Sequence, residues 1–264
     1  MIMWKGRLQP RIQTGVIHVY IRGNNRFHVF YDEFDRIEFL KQCQRAANQH
    51  NTTITEFTLM DNHAHLQIET ENLSLFMKSL LQGYVQWYNR KNGVRDKLFK
   101  SPFNSSCKFS TERIIDNKLY ILQNPLEENM CNHPSDYKWS SYKFHFGQKT
   151  HLSKYIQLNT KPIDNFYKSI GAFNKAILEK AKSSNKSDRA TTDTWEKISD
   201  SEVAKYALRI IAPKKIFQLN SDEIRILIVR LKKETDASYR QISSLTHENY
   251  DYVRKICFEN VALQ

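Results

Sequence analysis

A chain of 264 residues is long enough for one or two domains with cores of their own. Forty Lys and Arg against 28 Asp and Glu leave a net charge of +12, an excess that favours a polyanionic partner, either nucleic acid or an anionic membrane surface. No apolar run of about 18 residues is present to span a bilayer, and Met1 to Lys5 has no signal-peptide apolar segment, so neither membrane integration nor secretion is expected. Cys43, Cys107, Cys131 and Cys257 are dispersed, which argues against a zinc ribbon and a disulfide framework and makes a reducing cytoplasm the simplest setting. Neither GxxxxGK(S/T) nor GxGxxG occurs, so no nucleotide-binding loop is expected. An aromatic content of 12% suits a protein that grips bases as well as phosphates.

In chain order, a basic leader from Lys5 to Arg11 runs into Gly15 to Gly23, a β-branched run bounded by glycines that reads as a buried strand. Asp32 caps a predicted helix through Asn48, with Phe34, Ile37, Phe39, Leu40 and Cys43 at helical spacing. A second strand, Thr52 to Met60, places Ile54, Glu56, Thr58 and Met60 on one face and Thr55, Phe57 and Leu59 on the other. The turn Asp61-Asn62 leads back into a third strand, His63 to Thr70, as a hairpin. Ser74 caps the next helix to about Arg90, with a core-facing stripe of Leu73, Phe76, Met77, Leu80, Tyr84 and Trp87. Leu98 to Phe109 reads as extended, Pro102 marking an edge or an irregular passage. Ser110 or Thr111 opens a helix over Glu112 to Asn124, stopped by Pro125. The order β-α-β-β-α-β-α predicts an α+β fold, a ferredoxin-like antiparallel sheet with helices on one face.

The aromatic and polar run Pro134 to Tyr142 reads as a cover on this sheet, and Lys182 to Asp193 as a polar linker. Three helices follow: one striped by Ile224, Leu227, Ile228 and Leu231, a short one over Tyr239 to Leu245, and one over Tyr250 to Phe258 around Val253 and Ile256. The last two suit a helix-turn-helix, although His247 stands where glycine is common. The expected organisation is thus a core domain over 8–146, a helical extension and linker over 147–193, and an all-α, helix-turn-helix-like unit over 194–264. In that last unit Arg254 and Lys255, and in the core domain Arg113, are the expected nucleic-acid contacts.

Chemistry concentrates in two places. His63 and His65 are two apart on a strand, so both imidazoles face one way and make half of a metal site. On the helix over 112–124, Ile115, Leu119 and Leu122 form an apolar stripe, with Arg113, Asn117, Tyr120 and Asn124 opposite. Tyr120 is therefore a nucleophile candidate and Asn124, one turn on, a third ligand candidate. A divalent cation held by His63, His65 and Asn124 could polarise a phosphodiester while the Tyr120 oxygen attacks in line. Each signal alone is weak: a histidine pair on a strand is more often structural, a tyrosine on a polar face is usually a rim aromatic, and Asn before Pro is by default a helix stop. His18, His28, His133 and His145 have no spacing that recommends them and are read as structural.

The conjunction of Leu-Met-Asp-Asn-His63-Ala-His65-Leu, Trp87-Tyr-Asn-Arg90, Leu98-Phe99, Tyr120-Ile-Leu-Gln-Asn124-Pro125 and Asp136-Tyr-Lys-Trp-Ser-Ser-Tyr142 resembles the single-tyrosine HUH transposases, and among them the REP-associated tyrosine transposases, over roughly residues 8 to 146. The resemblance implies cleavage of single-stranded DNA, often near a hairpin, with Mg2+ or Mn2+. It makes His63 and His65 metal ligands, Tyr120 the nucleophile of a 5′-phosphotyrosine intermediate, and Asn124 the occupant of the remaining ligand position. Leu119 and Leu122 depart from the arginine and histidine common around the tyrosine, and Ser101-Pro-Phe-Asn-Ser105 lacks two basic contacts common there. The expected partners are single-stranded or hairpin DNA, with a homodimer as a candidate assembly and a cytoplasmic, nucleoid-associated location. Two readings stand beside the strand transferase: a catalytically idle, domesticated DNA-binding protein or regulator, and an RNA-binding module on the same sheet, which lacks the aromatic strand signature of such domains.

Overall fold

The computed structural model describes residues 11–24, 27–95, 97–100, 103–184, 198, 200–235 and 237–261. The leader over 5–10, Ser101 and Pro102, the linker from 185 to 193, and residues 194–197 lie outside the described residues.

Strands β1 (Gly15–Arg22), β2 (Thr53–Leu59), β3 (His63–Thr70) and β4 (Asn104–Cys107) form one antiparallel sheet in the order β2-β3-β1-β4. Helices α1 (Glu33–Gln49) and α2 (Leu73–Asn92) follow β1 and β3. This is the expected α+β, ferredoxin-like arrangement. Ile17, Val19 and Ile21 from β1 meet Ala64, Leu66 and Ile68 from β3, and Phe39, Leu40 and Cys43 of α1 with Phe76, Met77, Leu80 and Tyr84 of α2 close over them. The capping box at Asp32 and Asp35 starts α1. Asn72, rather than the expected Ser74, caps α2 by accepting from the Leu75 amide, and the helix already includes Leu73, which is fully buried. Gly93, left-handed at φ 67°, ends it.

Two sequence expectations fail for identifiable reasons. The alternation that grouped Ile54 with Glu56 is broken by a bulge between them, which places Ile54 with Phe57 and Leu59 in the core. The Thr55 hydroxyl donates across the bulge to the Gln67 carbonyl at 3.1 Å. The helix α3 (Thr111–Glu127) does not stop before Pro125 but runs through it. Pro125 lacks the N–H that would bond the Ile121 carbonyl. The Asn124 side-chain amide lies 3.5 Å from that oxygen and donates to the Tyr120 carbonyl at 2.6 Å, so the ladder is covered from the side.

Helix α3 packs on the sheet face opposite α1 and α2, so the expectation of helices on one face holds for α1 and α2 but not for α3. Gln67 Nε2 donates to the Ile114 carbonyl and to Asn117 Oδ1, and Lys118 Nζ to the Thr55 carbonyl at 2.7 Å. Its apolar stripe, Ile115, Leu119 and Leu122, faces Phe173 and Ile177 of α5 (Ile170–Ser184), which follows α4 (Lys161–Phe166). Both sides of α3 are therefore buried, and its polar side is a sheet contact.

The run 134–142 covers the core as expected: Tyr137 donates to the Leu59 carbonyl at 2.6 Å, and the Leu59 amide to the Trp139 carbonyl. The C-terminal helices α6 (Asp200–Ile211), α7 (Ser221–Thr235), α8 (Tyr239–Thr246) and α9 (Tyr250–Val261) share a core of Val203, Leu227, Leu231, Ile242, Val253 and Ile256. They rest on the loop after β1. The His28 amide donates to the Ser244 carbonyl at 3.0 Å and the Tyr31 hydroxyl to the Leu245 carbonyl at 2.9 Å. His247, left-handed at φ 60°, does what glycine usually does at such a turn. Its ring stacks on Phe27 at 4.6 Å between centroids, and its Nε2 donates to the His28 carbonyl, contacts that a glycine would not provide.

Candidate active site

Antiparallel pairing carries β1 side chains onto the histidine face of β3. Arg22 stands opposite His63, Tyr20 opposite His65 and His18 opposite Gln67, and directly opposed residues share a face. The imidazoles of His63 and His65 lie 5.2 Å apart between centroids. Tyr120, on the α3 side packed over this face, meets the His65 ring edge-on at 5.7 Å and the His18 ring at 5.8 Å. His18, Tyr20, Arg22, His63, His65, Tyr120, Asn124, Glu127 and Glu128, with the start of β4, line one cleft of about 410 Å³.

The electrostatics keep the imidazoles uncharged. Burial, then the Arg22 charge, pulls the His63 pKa down to about 3. Burial first, then His63, His18 and Arg22, holds His65 well below the usual histidine range, and burial with Lys108 takes His18 to about 4. Neutral imidazole is the ligand form. His63 Nδ1 donates to Asn62 Oδ1 at 2.6 Å, leaving Nε2 with its lone pair. His65 Nδ1 is hydrogen-bonded to His18 Nε2 at 2.9 Å, and the rings stack at 5.2 Å; when His65 Nδ1 is the donor, His65 Nε2 is likewise free to bind. The Asn124 N–H is spent on the Tyr120 carbonyl, so its Oδ1 is the acceptor atom left over. Burial, then Glu127 and Glu128, pushes the Tyr120 pKa above that of a free phenol, so its ionisation needs positive charge nearby.

Among the described residues no group of three or more His, Cys, Asp and Glu side chains could hold a metal ion. The donors on offer are two neutral imidazole nitrogens and one amide oxygen. That set fits a divalent ion that keeps water or phosphate oxygens in its other positions.

The cleft brings His63, His65, Tyr120 and Asn124 together. Arg113 is not among its lining residues: it lies exposed in the first turn of α3, where its amide donates to the Ser110 cap. Arg254 and Lys255 are exposed on α9, Arg254 over the Phe258 ring and Lys255 3.8 Å from Glu259. Sequence reading took His18 as structural and passed over Tyr20, Arg22, Glu127 and Glu128. The first three had a usable signal, since they alternate with the apolar Ile17, Val19 and Ile21 and must therefore share the polar face of β1. The two glutamates lay beyond the expected helix end.

Residues 12–123 match the family described as transposase, IS200-like. Over that segment the chain is similar to the IS200-like transposases. A solved structure of a REP-associated tyrosine transposase bound to a REP hairpin is similar over 52% of this chain and 82% of its own, at 13% identity and a TM-score of 0.44. No curated protein matches the chain. The matched segment contains His63, His65 and Tyr120 and ends one residue before Asn124. Among the described residues no helix is long and apolar enough to cross a membrane.

Proposed function

We propose that the protein is a DNA strand transferase that cleaves single-stranded DNA near a hairpin, with Tyr120 as nucleophile. The observation that supports this reading is the meeting of the Tyr120 ring with His65 and His18 in the cleft that His63 and Asn124 also line. The Tyr120 oxygen forms a bond to phosphorus and the bond from phosphorus to the 3′ oxygen breaks. The phenolic proton passes to solvent and the leaving 3′ oxygen takes one up, so the products are a 5′-phosphotyrosine and a free 3′-hydroxyl. Bond energy is conserved in the adduct, and the end can be rejoined without a nucleotide. His63, His65 and Asn124 would hold Mg2+ or Mn2+, which supplies Lewis-acid polarisation of the phosphate and charge for the buried phenol. Arg22, in the same cleft, adds a fixed positive charge.

An oligonucleotide hairpin with an unpaired flank is expected to give a covalent adduct on a denaturing gel with Mn2+ and none with EDTA. Tight binding without adduct under every divalent ion, indifferent to EDTA, would instead mark a domesticated DNA-binding regulator. In the same reading His18 is a positioning residue, since it holds the nitrogen of His65 that a metal does not use. Loss of such a partner commonly costs about 10- to 100-fold in metal affinity. His18→Ala is expected to show a drop of that order in Mn2+ titrations followed by electron paramagnetic resonance, with partial recovery in His18→Gln. Unchanged Mn2+ affinity would remove His18 from the site.

A further inference from the structure

A second cavity, of about 650 Å³, lies where the C-terminal helices rest on the sheet domain, and it is lined by Arg22, Lys100 and Arg240 together with Asn24, Phe27, Ser243 and Tyr250. Its three cations come from three separate elements whose relative positions are held by backbone contacts. The Lys100 amide donates to the Arg22 carbonyl at 2.8 Å, so these two residues are neighbours across an irregular pairing that also joins Gly23 to Phe99. Arg240 stands one turn before Ser244 on α8, on the same side of the helix, and the Ser244 carbonyl is the acceptor for the His28 amide. Among the described residues none of the three cations has a carboxylate within ion-pair distance, and the Arg22 Nε is buried without a hydrogen-bond partner. Glu248 and Asp251 line the same cavity, leaving it with one net positive charge.

This cavity is not isolated from the transposase cleft. Arg22 lines both, and a third hollow shares Arg22 and His63 with the cleft and Arg22 and Arg240 with the seam, its remaining charges being the carboxylates of Asp61, Glu127, Glu128 and Asp200. We infer that this seam is a binding site for the single-stranded DNA flank, its backbone phosphates held by Arg22, Lys100 and Arg240 as the strand runs to the Tyr120 cleft. The inference rests on the proposed function for the identity of the strand. The chemistry is that of single-strand grooves generally, which pair cations along the backbone with an aromatic face for a base; Tyr250 is 41% exposed at the rim. A volume of the small-ligand class has room for about one or two nucleotides rather than a duplex. The C-terminal unit therefore contributes α8 to the strand path, a role separate from any duplex contact by Arg254 and Lys255.

The test compares the full-length protein with Lys100→Ala and Arg240→Ala variants, using fluorescence anisotropy over a salt series on a hairpin with an unpaired flank and on the same hairpin without it. Each single-strand phosphate contact contributes about 0.7 to the slope of log affinity against log salt. Each substitution is expected to lower the slope by about 0.7 on the flanked substrate, the double variant by about 1.4, and neither to alter binding of the blunt hairpin. Arg240→Lys is expected to restore the slope. A slope unchanged on the flanked substrate, or lowered equally on both substrates, overturns the inference. The covalent-adduct assay separates the two levels: adduct formation with flank-independent effects of Lys100→Ala and Arg240→Ala removes the seam and leaves the proposed function standing. Loss of flank-specific binding in these variants, with no adduct from the unmodified protein, does the reverse.

Discussion

Tyr120→Phe is expected to abolish the covalent protein–DNA adduct and to lower strand cleavage by on the order of 10⁴-fold or more, the scale on which enzymes lose activity when a nucleophile is removed. Phenylalanine keeps the ring that meets His65 and His18 edge-on. It also keeps the backbone carbonyl that accepts from Asn124. DNA binding and the melting temperature should therefore stay close to those of the unaltered protein, which isolates the hydroxyl as the cause. Retention of the adduct by Tyr120→Phe would transfer the nucleophile to another residue.

The largest effect on stability is expected at Lys118, two residues before the tyrosine. Its Nζ is fully buried, donates to the Thr55 carbonyl and lies 3.6 Å from Glu56 Oε2. Glu56 in turn meets His145 Nε2 at 3.3 Å and accepts from the Ser141 hydroxyl, while His145 Nδ1 lies 3.1 Å from Asp164. Removing one member leaves an uncompensated charge where water cannot reach it, a loss of about 3–5 kcal/mol. Lys118→Ala should show this in urea unfolding, and pairing it with Glu56→Gln should recover part of the loss because the stranded carboxylate is gone. A loss below about 1 kcal/mol would mean that the carboxylate had found water.

The same network sets a pH window. Burial raises the Glu56 pKa, but His145, Lys118 and the hydrogen bonds outweigh it, and the group sits below its ordinary 4.5. Its contribution is present above about that pH and is lost as acid passes the lower folded value. Burial lowers the His145 pKa, but Glu56 and Asp164 outweigh it, and the group sits above 6.5. Its contribution is present below that value and is lost as pH rises through the folded one. Stability from this cluster should therefore peak between the two ordinary values, and a flat urea midpoint across pH 4 to 8 would contradict it.

The ferredoxin-like order of elements could be read from the chain because period-two and period-3.6 patterns alternate there without ambiguity. That His63 and His65 share a face follows from the strand period alone. What stayed illegible depended on partners far away in sequence. The bulge at Thr55 is favoured by Gln67 on the neighbouring strand, and no local pattern announces it. Helix α3 passes Pro125 because Asn124 covers the gap and the surrounding packing holds the last turn, which local preference before a proline does not anticipate. His18 looked structural because its importance lies in register with β3, and register is a property of two strands.

The neutrality of the three cleft histidines bears on the order in which ligands can arrive. With the imidazoles uncharged, the fixed charges around Tyr120 are one guanidinium, Arg22, against two carboxylates, Glu127 and Glu128. That composition disfavours a phosphodiester, whereas a divalent ion held by the histidines would reverse the sign. Under the proposed function, the metal would therefore have to be held by His63, His65 and Asn124 before the scissile phosphate could enter, and hairpin binding would not depend on it.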